Sequence, residues 1–465
     1  MMKLADAFNI AGGGGPGLLA RLDAPIFLVG SGAVSTWLTL FHTALEPVGA
    51  ANVALCEIAL DAVLAVASLL CALVSRRMGS LSRRPAVILL GCAVAGIGTL
   101  LAAAGCGRSP ALFYVGAVLG MVGTVVCMLL WAEYYSCLSP ARIALYASWS
   151  VLAGEFLRMV MVGFAFAHLA LGMAVLPVLS ATMLLRAYRS LPADELPCAL
   201  PGPAPRIPWM PVAVLGAYSL CYGLVAKTSD SSIVVTTLSK LMPAAIVIAS
   251  IKLQSDRFSF NDAYRLGIPL AIVGGALLCG FSEMDPTVAN FFVAFGFFAC
   301  RILVKVRLGT EARTAGTGAA YLFGVQIAVQ YAASLVGKAF LLSQVQEVLP
   351  PGLHGVLTLG MCLLTAVLAL MLLRGVDRLE PAWAARLGDA PDHEALRVER
   401  LQALAQRCGL SDRELEVALL LLKGRTFAQI GHELCIAEGT AKSHANRIYR
   451  KLGIAGRGEL EEALG

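Results

Sequence analysis

Charge is scarce in this sequence of 465 residues: Asp, Glu, Lys and Arg make up 14% of it, against roughly 25% in a soluble globular chain. With 58% hydrophobic residues and a mean hydropathy of +0.77, so low a share excludes a soluble multidomain enzyme. The 13 cysteines contain no C-x-x-C, which leaves neither a zinc site nor a disulfide framework supported. No loop brings together a nucleophile and a base, or a set of metal ligands. The expectation is therefore no enzyme, no catalytic or metal-binding residue and no cofactor. The alternating apolar and polar pattern of a membrane β-barrel is missing too. Gly12, Gly14 and Gly17 fit G-x-G-x-x-G, but no strand precedes them and Pro16 interrupts the run, so they are set aside as a nucleotide loop. Residues 1–24 lack the basic, apolar and cleavage regions of a secretory signal and are expected to stay on the chain as a cytoplasmic N-terminal segment.

What the chain has in abundance is long apolar runs. Stretches able to cross about 30 Å of hydrocarbon lie at roughly 25 to 45, 51 to 74, 86 to 105, 111 to 131, 143 to 165 and 167 to 185. After a Pro-rich loop, Arg186 to Pro208, others follow at roughly 209 to 226, 233 to 251, 266 to 283, 288 to 304, 318 to 342 and 353 to 373. In lipid such runs satisfy their backbone polar groups only as α-helices, so the expected class is all-α: a bundle of about twelve transmembrane helices over 25–373. Under strict alternation, sixteen Lys or Arg fall in loops on one side of the membrane and only Arg108 and Lys227 on the other. Basic loops favour the cytoplasm, so both termini are expected there, in a cytoplasmic membrane. Gly116 and Gly120 form a G-x-x-x-G within one span, the pattern of a close helix contact.

This six-plus-six arrangement resembles the major facilitator superfamily. That family carries a Gly-x-x-x-Asp-Arg-x-Gly-Arg-Arg type loop between its second and third helices, where this chain has Ser75-Arg76-Arg77-Met78-Gly79-Ser80-Leu81-Ser82-Arg83-Arg84. The basic residues and Gly79 fit. The family's Asp is missing, and the Arg pair comes late.

Beyond Arg374 the chain changes solvent. Residues 374–409, with Pro381, Pro391 and a Gly-Asp-Ala-Pro-Asp stretch, read as a cytoplasmic linker. Toward its end a short amphipathic helix is expected from about Glu394 to Gln406, with Leu396, Val398, Leu401, Leu404 and Ala405 near one face. Ser411-Asp412-Arg413-Glu414 is a capping box that starts a helix running to Lys423, with Gly424 as its stop. Thr426 is placed to cap a second helix to about Leu434. A turn at Cys435 and Ile436 leads to a third helix, Glu438 to Leu452, closed by Gly453. Three short helices with a tight turn before the last make a helix-turn-helix. Residues 410–465 are neutral overall, with eight bases and eight acids, yet between Gly439 and Arg457 there are five bases and no acid. A basic stripe on one helix of a neutral domain is the footprint of phosphate binding.

The same 56 residues resemble a LuxR-type helix-turn-helix. The frame stands as Leu410-Ser-Asp-Arg-Glu414-Leu-Glu-Val417, Gly424, Ile430, Glu433-Leu434, Ile436, Gly439-Thr440-Ala441-Lys442-Ser443-His444, Asn446-Arg447-Ile448, Lys451-Leu452-Gly453-Ile454 and Arg457. The resemblance implies a bacterial DNA-binding domain at 410–465. It places Lys442, Ser443 and Asn446 at base edges and Thr440, Arg447, Arg450 and Lys451 at phosphates. It also implies a fourth helix from Gly456 to Leu464 that supplies a homodimer contact. Two departures stand out: Ala437 replaces the usual Ser cap of the recognition helix, and Ala441 replaces the usual Val. Losing a cap costs about 1 kcal/mol, so the helix is expected to fray at its start.

Seven ionisable residues fall inside the expected spans, and such groups face a cavity or a partner by default. Glu57, Asp61, Glu155, Arg158 and Lys240 are assigned to a ligand cavity. Glu57 and Asp61 share a helix face, where they repel or share a proton. Arg301 and Lys338 lie near span ends and are expected to snorkel. Gln326 and Gln330 add a polar stripe. Two readings stay open: a regulator whose membrane part senses an unknown small molecule and whose helix-turn-helix binds promoter DNA, or a transporter with a regulatory tail.

Overall fold

A computed structural model describes residues 25–44, 53–191, 207–225, 233–252, 286–314 and 318–345 of the membrane part, with isolated positions at 356, 360, 363, 364 and 367. Toward the C-terminus it describes 401–402, 404–406, 408–422, 425–454, 456 and 459–460. The N-terminal segment 1–24, the ninth expected span, nearly all of the twelfth, most of the linker and the cap at Gly424 lie outside the described residues.

Among the described residues every regular element is a helix. The membrane part comprises α1 (Leu28–Ala44), α2 (Val53–Met78), α3 (Pro85–Gly105), α4 (Pro110–Ser136), α5 (Pro140–Val162), α6 (Phe166–Arg189), α7 (Trp209–Val225), α8 (Ile233–Lys252), α9 (Pro286–Thr314) and α10 (Ala319–Val345). Seven of them are long and apolar enough to cross a membrane. The other three are α1 and α7, with 17 residues each, and α9, which carries Arg301, Lys305 and Arg307. Helix starts follow local chemistry. Pro85, Pro110 and Pro140 each open a helix where the missing N–H costs nothing. Ser109 and Ser139 accept hydrogen bonds from the N–H of Leu112 and Arg142.

The helices present an apolar exterior. Leu69, Leu70, Leu89, Leu90, Val115, Phe156 and Leu171 are exposed, whereas Asp61, Glu133, Glu155, Arg158 and Lys240 are buried. That arrangement suits a bundle whose outer solvent is lipid. Helices α3 and α4 pack backbone to backbone through glycine. A Cβ on Gly116 would fall 2.2 Å from the nitrogen of Ala102, and one on Gly123 would fall 2.3 Å from that of Ala95. The close contact read from Gly116 and Gly120 is present and continues through Gly123. The first six helices meet the later ones where α2 packs on α10 and α5 on α8.

One expected boundary moves. The tenth span does not end near 304: α9 continues to Thr314, so Lys305, Arg307 and Arg313, counted as loop residues, are helical. Strict alternation of apolar runs misplaces that end because polar residues can extend a helix wherever one face turns inward. The loop between the second and third helices has a partner that its own residues do not announce. Glu133 of α4 is buried and accepts the N–H of Leu81 and of Ser82, both at 2.8 Å, and the Ser80 hydroxyl at 2.9 Å. A carboxylate thus orders this loop from the neighbouring helix rather than from within it.

The C-terminal part holds α11 (Asp412–Leu422), α12 (Phe427–Glu433) and α13 (Glu438–Leu452). Val417, Ala418, Leu421, Ile430, Ala441, Ala445 and Ile448 form its core. Leu401 and Ala405, from the stretch read as linker, are buried in the same core, so the folded unit begins before residue 410. Residues 459 and 460 are helical and Leu460 is buried, where the fourth helix was expected.

Candidate nucleic-acid interface and membrane cavity

Both expected caps of the C-terminal part form. The Ser411 N–H donates to Glu414 Oε2 at 2.9 Å, and the Glu414 N–H donates to Ser411 Oγ at 3.3 Å. Thr426 and Gln429 make a second reciprocal box that opens α12. The turn into α13 is tight. Cys435 has a φ of 53°, a left-handed conformation, and the Ile436 N–H reaches the Gly431 carbonyl at 2.9 Å. Gly431 is required at that point, since a Cβ there would fall 2.7 Å from the Ile436 oxygen. Arg413 ties α11 to the turn by donating to the Leu434 carbonyl. Helix α13 then starts at Ala437 in extended backbone with no side-chain cap, and ends at Gly453 with a φ of 70°.

One face of α13 is core, through Ala441, Ala445 and Ile448. Thr440, Lys442, Ser443, Asn446, Arg447 and Arg450 lie exposed on the remainder of the helix. Small Ala441, fully buried, lets the helix sit close on its core. Lys451 is placed differently from the other expected phosphate contacts. Its ammonium donates to Glu414 Oε2 at 2.6 Å and to the Gly409 carbonyl at 2.8 Å, so it closes the end of α13 onto the capping box of α11. That ammonium, followed by the Ser411 N–H, holds the Glu414 carboxyl below the usual carboxylate range. Gly431, Arg413 and the Glu414–Lys451 pair were not read from the sequence as determinants of this surface. Gly431 lies inside α12 and owes its place to the close approach of the Ile436 carbonyl, a contact with no local sequence signature.

In the membrane part, a cavity of about 360 Å³ opens between the early helices and the later ones. Glu57, Asp61, Glu155 and Lys240 line it, while Arg158 lies buried just behind. The five expected residues separate into two clusters. In the first, Glu155 of α5 accepts from Lys240 Nζ of α8 at 2.7 Å and from Arg158 Nε at 2.8 Å, and Arg158 also donates to Thr237. In the second, Asp61 of α2 meets Lys338 Nζ of α10 at 2.8 Å and accepts from Ser334 Oγ at 2.8 Å. The His42 ring stands 3.6 Å from Asp61, and Glu57 lies 3.8 Å from the same lysine. Glu57 and Asp61 therefore share a cation where mutual repulsion or a shared proton was expected.

Lys338 accordingly does not snorkel. Neither does Arg301, which lines the cavity together with Lys305. Gln326 and Gln330 are buried there and hydrogen-bonded to one another at 2.9 Å. Lys305 and His42 also line the cavity: the first was counted as a loop base, and the second was not singled out in the sequence. Among the described residues, no group of three or more His, Cys, Asp or Glu is placed to hold a metal ion.

The family described as bacterial regulatory proteins, luxR family, matches residues 409–462. The chain is 40% identical over 72 residues to an HTH-type transcriptional regulator of Aeromonas salmonicida, a match covering 15% of this chain and 37% of that protein. It is 40% identical over 50 residues to the spore germination protein GerE of Bacillus subtilis, covering 11% of this chain and 68% of that protein. The chain thus spans little more than a third of the first relative and about two thirds of the second. The membrane part is similar in fold to an outward-facing bacterial homologue of the iron transporter ferroportin, with a TM-score of 0.52 and 13% identity over 76% of this chain and 97% of that one. It is similar as well to the major facilitator superfamily transporter FucP, with a TM-score of 0.50 and 13% identity over 77% and 97%. At such identities the likeness is one of fold. The molecule is thus an all-α, multi-pass membrane protein with a major-facilitator-like part and a LuxR-type helix-turn-helix.

Proposed function

The chain belongs, through residues 409–462, to the luxR family of bacterial regulatory proteins, and on that premise we propose that it is a one-component transcription regulator working from the membrane. The membrane part senses a small molecule, and the helix-turn-helix answers it on promoter DNA. One observation carries this reading: a DNA-binding domain with an exposed basic helix shares a chain with a transporter-like fold whose cavity is lined by charge. Lys442, Ser443 and Asn446 read base edges from one face of α13, and Lys-to-guanine and Asn-to-adenine pairs each contribute about 1 to 3 kcal/mol of discrimination. Thr440, Arg447 and Arg450 hold phosphates, and Lys451 joins them at the rim while anchoring α13. Both termini face the cytoplasm, as the distribution of Lys and Arg favours, and the output is a homodimer of the DNA-binding domain. The chain carries out no catalysis.

A ligand shifts such an output only by binding one membrane conformation better than another, so the segment at 374–409 transmits a change in position or pairing. Chromatin immunoprecipitation of the full-length protein in its host is expected to give sharp promoter peaks. Lys442→Ala and truncation after Arg374 both remove them. Peaks that survive Lys442→Ala would sink the DNA-reading assignment.

A second reading, a working transporter with a regulatory tail, draws on the Glu57, Asp61, His42 and Lys338 cluster, a titratable group within the bundle. It requires substrate accumulation in vesicles that Asp61→Asn abolishes. Promoter regulation without accumulation favours the sensor.

A further inference from the structure

We infer that the ligand of the membrane cavity is a small organic carboxylate with an apolar, aromatic-compatible body, held by Arg301 and Lys305. The inference deepens the sensing reading, but its binding step stands independently of any effect on DNA.

The first argument is charge. Among the described residues in and just behind the cavity, the carboxylates are Glu57, Asp61 and Glu155. The cations Lys240 and Arg158 are used on Glu155, and Lys338 on Asp61 and Glu57. Arg301 and Lys305 remain. Both line the cavity, and neither forms an ion pair with a carboxylate among the described residues. Lys305 instead sits 4.6 Å from the centre of the Tyr135 ring. Among the described residues, three carboxylates thus face five basic groups, with His42 as a sixth. These groups disfavour a cationic ligand or a metal ion. An anion with one or two charges would complete it, and buried charges persist where a partner compensates them.

The second argument is register. Phe297, Arg301 and Lys305 are four apart on α9 and so form one stripe along a single face, all lining the cavity. Tyr222 of α7 stacks on Phe297, with centroids 4.9 Å apart and planes at 11°. A guanidinium matches a carboxylate through two parallel N–H donors, and the ammonium one turn on reinforces it. A carboxylate seated there lays its body against Phe297 and Tyr222. The volume, about 360 Å³, lies near the lower end of the roughly 300 to 1,000 Å³ typical of small-molecule sites.

The test uses the full-length protein in lipid nanodiscs, titrated calorimetrically with phenylacetate, 3-phenylpropionate and 4-phenylbutyrate, each beside its primary amide. The acids are expected to bind at least about tenfold more tightly than their amides, since a lost charge-assisted hydrogen bond has that effect. Arg301→Gln erases the acid preference, Arg301→Lys keeps part of it, and Lys305→Gln weakens it without erasing it. Unliganded melting curves identify any variant that fails to fold, and Lys305→Gln then carries the test. Equal binding of acids and amides, or no binding by any acid, overturns the inference. Acids that bind without altering promoter occupancy leave it standing and sink the sensing reading. Promoter responses confined to neutral compounds do the reverse.

Discussion

Lys451 and Glu414 illustrate how far a residue's role depends on what folding brings beside it. The carboxylate accepts from its own capping partner Ser411 and from an ammonium 37 positions further along the chain. Because the folded carboxyl titrates below its ordinary value, the stability it contributes is present above the unfolded pKa of about 4.3 and is lost as pH falls through the lower, folded one. Acidification below about pH 4.3 is therefore expected to loosen the α11–α13 junction, and Glu414→Gln to flatten that acid dependence. The substitution also costs about 1 kcal/mol or less at neutral pH, since Lys451 is partly exposed. Hydrogen exchange of the backbone over 411–452 in the full-length protein reads both effects. Unchanged protection in Glu414→Gln across that pH range would show that the pair does not hold the junction. The Ser411 half of this arrangement was legible in the sequence, because a capping box is local. The Lys451 half was not, because i-to-j distance in space carries no sequence period. Lys451 looked like one more base on a basic helix, and only its packing against α11 separates it from Arg447 and Arg450.

At the scale of elements, the same division between local and long-range signals explains what could be read. Helices α11 to α13 start and stop where caps, turn residues and Gly453 place them. Helix α9 overran its expected end because its last two turns look like a loop in composition. Those turns keep an inward face, with Leu308 and Ala312 buried, and the polar residues around them hide that face from a hydropathy window. Two element-level outcomes follow. Ala437 already has the extended backbone of an N-cap, with φ −63° and ψ 145°, but no side chain to cap with. Ala437→Ser is therefore expected to stabilise the C-terminal domain by about 1 kcal/mol, seen as slower exchange at the start of α13. No gain would mean that the first turn is held by something other than its cap. In the α3–α4 pair, Gly123→Leu forces apart backbones that leave no room for a Cβ. Its cost, about 1 to 3 kcal/mol or more of overpacking, is expected to lower the melting temperature of the purified protein and its yield in membranes. An unaltered melt would show that α3 and α4 can separate freely.

For the whole molecule, the proposed sensing role requires a route from the cavity to the DNA-binding domain. The pairs that close the cavity are also the pairs that join the early helices to the late ones: Lys240 of α8 with Glu155 of α5, and Lys338 of α10 with Asp61 of α2. Each bond spans a contact between the two groups of helices, and the α2–α10 and α5–α8 contacts are where those groups meet. Any conformational change that moves one group against the other must strain or break these pairs. Removing one partner of a buried pair costs about 3 to 5 kcal/mol because the other charge is left uncompensated. Moving a two-state equilibrium from 1:99 to 99:1 takes about 5.5 kcal/mol. The two magnitudes are close, so a single substitution here is large enough to reset the resting state without any ligand. Lys240→Met and Asp61→Asn are therefore expected to shift transcription of a target promoter by more than about tenfold in the absence of ligand. The double variant Lys338→Met with Asp61→Asn, which removes both members of one pair, is expected to recover part of that shift, because it leaves no orphaned charge. A reporter assay across these variants, with Lys442→Ala as the DNA-blind control, separates the alternatives. Basal output that matches the unsubstituted protein in every single variant would mean that the ion pairs only fill the cavity wall, and that the signal leaves the membrane part by another route.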